Sequence, residues 1–349
     1  MSVRKARGYH SPKSPAEKGW VRQFTGDLRR YELDHGEALY VKLGPHLAEC
    51  PELEFFIRDR ILLRRLISRQ FRLMACEVKN DKSANDSSTI NLIRFKGYAP
   101  SYILALLNSS LFSYRVLSRS SIARRDDYPK ISLYEVKTFP IRKVEFVTPE
   151  SERLKRLKQL NDEYQMSLEK LGDVKETKCL SSGKLFGQTL SLVGAPGKPL
   201  QVPLDILHDF LAHLAEQMTD LHEKKNAELR RFLDWLENEL KIHPDKDGTT
   251  GIQTLTGKTI ITNYLGDYQK DEEHAPFEAL WEVAQRNSRR LSCSLGTVFQ
   301  ERTRHEFEKS LSILLPIKRK LAATDWLIDQ LVYRLYGLTE DEITIIEGR

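Results

Sequence analysis

The chain is 349 residues long, with 30% charged and 40% hydrophobic residues, enough apolar mass for a sizeable core and room for two domains. No apolar run approaches the roughly 20 residues of a membrane helix, and the basic start Met1–Gly8 has no apolar segment behind it, so no secretory signal is expected. The net charge of +6 is unevenly spread: residues 1–147 hold 27 Lys and Arg against 16 Asp and Glu, a surplus of 11, and the rest hold 28 against 33, a deficit of 5. A basic front half on an acidic rear half is what a nucleic-acid-facing module on a scaffold would show.

In chain order, residues 1–21, rich in Lys, Arg, Ser and Pro, read as a flexible basic lead-in. Residues 22–147 read as a mixed domain with short strands at Ala38–Leu43, Ile61–Leu63 and Thr89–Phe95 and a polar turn at Asn80–Ser88. A helix follows Pro100, with Ser101 as its cap and Tyr102, Leu106 and Leu107 on one side. After it come a basic loop and a strand that ends at Pro140.

At Thr148 the pattern changes, and residues 148–349 read as a helical region. Thr148-Pro-Glu-Ser-Glu152 places a capping residue, a first-turn proline and acids at a helix start. The helix runs to about Leu171, and an irregular, glycine-rich link covers 181–200. Leu207, Leu211, Leu214, Met218 and Leu221 are spaced 4-3-4-3, and Leu229, Leu233, Leu236 and Leu240 resume the seam after a phase slip. A continuous helix from Leu204 to Leu240 would be roughly 55 Å long at about 1.5 Å per residue. Its seam calls for a partner helix in this chain or another, and the Met and Leu stripe reads as packing, not as a cofactor site. A second irregular link, 243–272, holds only a small apolar turn at Ile260-Ile261. Further helices are expected around Phe277–Val283, Glu301–Leu314 and Leu321–Tyr336, the last stopped by Gly337, with a capping box at Thr339–Glu342. The fold class is therefore α+β: a mixed domain with short strands, then a mostly helical region with long helices.

Chemistry is sparse. Cys50, Cys76, Cys179 and Cys293 stand far apart with no C-x-x-C pair, which argues for a reducing cytoplasm. Nine histidines include no H-x-x-x-H pair, and His208 and His213 would diverge on a helix, so no metal site is expected. Asp59 with Glu77-Val-Lys79 has the form of a nuclease centre, but Glu135-Val-Lys137 and Glu239-Leu-Lys241 show how readily such triplets arise in a charged chain.

Four elements stand in a telling order: Phe24-Thr-Gly-Asp-Leu-Arg-Arg-Tyr31, Arg60-Ile-Leu-Leu-Arg64, the apolar run Tyr102–Tyr114, and Arg124-Arg-Asp-Asp-Tyr-Pro-Lys-Ile131 with Phe139-Pro-Ile141. Together they resemble the C-terminal specificity (target-recognition) domain of TaqI-like, adenine-specific DNA methyltransferases of restriction-modification systems. Leu214–Met218, Phe232–Glu237, Leu255–Thr259 and Thr324–Leu338 are similar to the helical C-terminal extension of large fused type II enzymes. The resemblance implies a chain that binds double-stranded DNA and positions a methyltransferase domain or subunit, which would hold S-adenosylmethionine. This chain is expected to bind no cofactor, to carry no catalytic residues and to be cytoplasmic. The departures agree: there is no Pro-Pro dipeptide for the family's base-holding turn and no Gly-x-Gly after a strand in the front half. The expected DNA-binding residues are Arg64, Arg65, Arg69, Arg115, Arg119, Ser120, Arg124, Arg125 and Lys130. Arg119, Arg124 and Arg125 are the candidates for base edges, and Arg64, Arg65 and Lys130 for phosphates. The alternatives are a type I-like specificity subunit, an unrecognised nuclease, and a protein-interaction scaffold that never touches DNA.

Overall fold

The computed structural model describes residues 10–14, 16–44, 52, 54–67, 72–120, 130–171 and 184–348. The chain divides into two compact units: residues 1–167, 186–219 and 326–349 form the first, and residues 168–185 and 220–325 the second.

The first unit is built on strand β6 (Arg60–Arg64), the centre of an antiparallel sheet between β7 (Ala75–Val78) and β8 (Thr89–Leu92). Ile61, Leu62 and Leu63 are all fully buried, an unbroken apolar run because both faces of the strand are covered. On one face Leu62, Cys76 and Val78 pack with Leu28 of the hairpin β3 (Leu28–Arg29) and β4 (Glu32–Leu33). The other face meets α2 (Pro100–Asn108). A second small sheet places β5 (Leu39–Lys42) between β1 (His10–Ser11) and β2 (Trp20–Gln23). His10–Ser11 thus lies in a ladder within the stretch expected to be a lead-in, because its backbone pairs with Tyr40 and Val41. The short helix α1 (Glu54–Ile57) adds Phe56 to the core of that sheet.

Gly26 is required by close approach: a Cβ there would lie 1.8 Å from the Asp34 carbonyl oxygen. The buried Arg60 is structural, its guanidinium donating to the carbonyls of Phe56, Asp81 and Ser83 at 2.7–2.9 Å. Asn108, at the end of α2, is fully buried and closes the free edge of β7: its side-chain oxygen accepts from the Ala75 N–H and its amide donates to the Ala75 carbonyl, both at 2.9 Å. A side-chain amide here takes the place of a neighbouring strand. Ser101 does not cap α2, since Ala99 holds the cap position; it is the second residue of the helix, and its hydroxyl lies 3.2 Å from Glu77 and 3.0 Å from Glu216.

After α3 (Ser110–Arg119) the segment before Pro140 is the helix α4 (Leu133–Lys137), not a strand. The reason is local: Ser132 and Glu135 form a reciprocal capping box that the apolar alternation hid. Helix α5 (Glu150–Lys170) starts where expected, yet Thr148 is held from outside that helix: its N–H and hydroxyl both donate to Asp205, at the start of α7 (Leu204–Leu240). Burial would raise the Asp205 carboxyl, but these bonds and the Ile206 N–H outweigh it and hold the carboxyl below the usual range. Within 181–200 the structure has a helix, α6 (Gly187–Val193), whose Thr189, Leu190 and Val193 are buried despite the flanking glycines. Leu207, Leu211, Leu214 and Met218 of α7 are fully buried, as are Leu327, Ile328 and Leu331, so this part of the seam is covered within the chain.

In the second unit Phe232, Leu236 and Leu240 pack with Tyr264, Phe277, Trp281 and Phe307. The 243–272 link carries the short helix α8 (Lys258–Thr262), and α9 (Phe277–Arg286) follows. The two helices expected beyond residue 300 are one, α10 (Thr297–Leu335), running through Pro316. An interior proline costs about 3 kcal/mol, and burial of Leu311, Leu314 and Leu321 on either side of it opposes that cost. Gly337 closes α10 in a Schellman motif, with the Leu338 N–H on the Tyr333 carbonyl and the Gly337 N–H on that of Arg334. The capping box at Thr339 opens α11 (Glu340–Ile346) as expected.

Candidate nucleic-acid interface

Two cationic groups in the first unit converge on the segment 130–138. The first lies where β6 ends. The Arg65 N–H donates to the Ser88 carbonyl at 2.8 Å and its own carbonyl accepts from the Ile131 N–H at 2.9 Å, while Leu66 and Lys130 form an antiparallel bridge. The Arg65 guanidinium also donates to the carbonyls of Ser87 at 3.2 Å and Ile131 at 3.4 Å. Arg65, Leu66, Asp86, Ser87, Ser88 and Lys130 line an open cleft. The single acid there, Asp86, accepts from the Ser88 N–H at 2.8 Å, so part of its charge is spent on the turn.

The second group sits at the end of α3. Arg115 donates to the Thr138 carbonyl at 3.1 Å, and Arg119 is exposed in the last turn. Burial, then the neighbouring Arg119 cation, lower the pKa of Arg115, so two like charges are held side by side. Ser120 is buried, and its side chain hydrogen-bonds Glu135. Burial would raise the Glu135 carboxyl, but hydrogen bonds from Ser120 and Ser132 hold it below the usual range. Glu135 therefore fastens α4 to the end of α3.

Of the residues expected from sequence, Arg65 and Lys130 share the cleft, and Arg115, Arg119 and Ser120 share the end of α3. Arg64 donates to Asp27 at 3.0 Å and so engages the β3–β4 hairpin. Arg69, Arg124 and Arg125 lie outside the described residues. Arg72 joins the core by donating to Ser110 and the Asn108 carbonyl. The nuclease-like pattern has partners too: Asp59 accepts from the Asn80 N–H at 3.0 Å, and Glu77 pairs with Lys79 at 3.2 Å. Among the described residues no group of three or more His, Cys, Asp or Glu could hold a metal ion. Sequence reasoning missed Tyr134, which α4 leaves 77% exposed between the two cationic groups. The signal that could have found it was the capping pair Ser132 and Glu135, which turns a strand-like alternation into a helix with an outward face.

Residues 21–141, which carry these groups, match the TaqI-like C-terminal specificity domain. A curated protein of Methanocaldococcus jannaschii, named "Putative type II restriction enzyme and methyltransferase RM.MjaORFECS2P", is 30% identical over 126 residues, covering 33% of this chain and 10% of that protein. The aligned part of this chain thus spans about a tenth of the relative's length. No solved structure matches the chain.

Proposed function

We propose that the chain is the DNA sequence-recognition module of a restriction-modification system. It would position an S-adenosylmethionine-dependent, adenine-specific methyltransferase, in the same or a separate polypeptide, on its site in the cytoplasm. The observation that carries this reading is the convergence of Arg65, Lys130, Arg115 and Arg119 on one surface segment of the specificity domain. Arg65 and Arg115 are fixed by backbone carbonyls, while Lys130 and Arg119 are exposed and suited to phosphates. Arg69, Arg124 and Arg125 belong to the same proposal through their place in the sequence. The methyl donor and the base-holding turn would come from the methyltransferase, since this chain has no Pro-Pro dipeptide to form that turn.

No helix among the described residues is long and apolar enough to cross a membrane. The helical region would serve as the dock for the catalytic partner, a role shared with type I-like specificity subunits. The test is selection from a randomised duplex library at about 0.15 M salt, with and without the methyltransferase. One enriched short motif supports the reading. Uniform salt-sensitive binding would assign only backbone contact to this chain, and no binding in either arm would favour a scaffold.

A further inference from the structure

The least expected surface feature of the first unit is apolar. Tyr134 is 77% exposed and Leu133 50%, side by side on the outer face of α4. A five-residue helix has little stability of its own, yet this one is pinned at three places. The capping box joins Ser132 to Glu135, Ser120 binds Glu135, and Arg115 holds the Thr138 carbonyl. Upstream, the bond from the Ile131 N–H to the Arg65 carbonyl and the Leu66–Lys130 bridge fix the incoming chain. The backbone ordering that usually opposes insertion of an exposed aromatic into a partner is thus already complete in the free protein.

The surroundings choose the partner. Lys130 lies four residues before Tyr134, Lys137 three after, and Arg115 and Arg119 stand on the helix to which α4 is fastened. An apolar tip with cations on both flanks fits a polyanion whose interior is a stack of aromatic faces. We infer that Leu133 and Tyr134 form a wedge that enters the DNA duplex and unstacks one base step, while the flanking cations hold the adjacent phosphates. This rests on the DNA-recognition reading and extends it: specificity would include the deformability of the step that receives the wedge, beyond contacts to base edges.

The test uses the full chain and duplexes of the selected sequence with 2-aminopurine at each position in turn. Wild-type protein should raise the fluorescence at one step. Tyr134→Ala should abolish that rise and weaken binding by about tenfold, with far-UV circular dichroism unchanged because the side chain is exposed. Tyr134→Trp should keep both the rise and the affinity. A Tyr134→Ala protein that binds with wild-type affinity and still unstacks the same step overturns the wedge while leaving DNA recognition standing. Failure of the wild-type chain to bind DNA removes both readings together.

Discussion

The exposed Arg119 and Lys130 should separate from Arg64 in the salt dependence of DNA binding. Arg119 and Lys130 are exposed, whereas Arg64 donates to Asp27 at 3.0 Å. Each phosphate neutralised by a cation steepens the plot of log affinity against log salt by about 0.9. The double variant Arg119→Ala/Lys130→Ala should therefore have a slope shallower by about 1.8. Between about 0.05 and 0.2 M salt the wild-type protein would then lose roughly twelvefold more affinity than the variant. Arg64→Ala should leave the slope unchanged, because the charge it removes is already paired. It should instead lower stability by about 0–1 kcal/mol, the usual range for a half-exposed ion pair. Fluorescence anisotropy with one labelled duplex, titrated at four salt concentrations, measures all three slopes. Equal slopes for the double variant and the wild type would refute the placement of DNA on segment 130–138. A shallower slope for Arg64→Ala alone would move the interface to the β3–β4 hairpin.

Two further predictions concern the framework that holds the interface. Asn108→Ala removes both bonds to Ala75 and leaves the buried Ala75 N–H unpaired, while the Ala75 carbonyl keeps the Tyr31 N–H at 2.8 Å, which should cost about 1–3 kcal/mol; a urea unfolding midpoint equal to wild type would dismiss the edge-closing role. His208 is buried, with Nε2 accepting from the Ala99 N–H and Nδ1 beside Asp209, an arrangement that requires the neutral ring. Burial, opposed in part by Asp209, places its folded pKa below the ordinary value. Below about pH 6.5 the unfolded state therefore binds a proton that the folded state refuses. Stability should fall as pH drops from about 6.5 toward the folded pKa, by at most about 1.4 kcal/mol per pH unit. In His208→Gln, whose side-chain oxygen can accept from Ala99, this part of the pH dependence should vanish; a steeper loss than wild type would contradict the assignment.

What the sequence made legible follows from the range of the forces involved. The Ile61–Leu63 run, the 4-3-4-3 seam of α7, the Gly337 stop and the Thr339 box are each written in residues only a few positions from the next, and each forms as expected. Features set by contacts distant in sequence did not show. Ser101 looks like a cap until Glu77 and Glu216 are brought to it, and Thr148 looks like a self-sufficient helix start until Asp205 arrives. Pro316 falls in the gap expected between the helices ending at Leu314 and starting at Leu321; its cost is local, whereas the burial that opposes it comes from tertiary packing.

The candidate site divides along the same line. A basic loop is visible as composition, but whether an arginine faces outward depends on which carbonyl or carboxylate folding places beside it. Arg60, Arg64 and Arg65 lie within six residues of one another and have three different surroundings: a buried shell of carbonyls, an aspartate on a hairpin, and the rim of a cleft. Composition therefore predicts that a surface of this kind exists, and only the fold says which cations compose it. That is why Arg119 and Lys130, rather than the denser arginine run along β6, are the decisive residues to change.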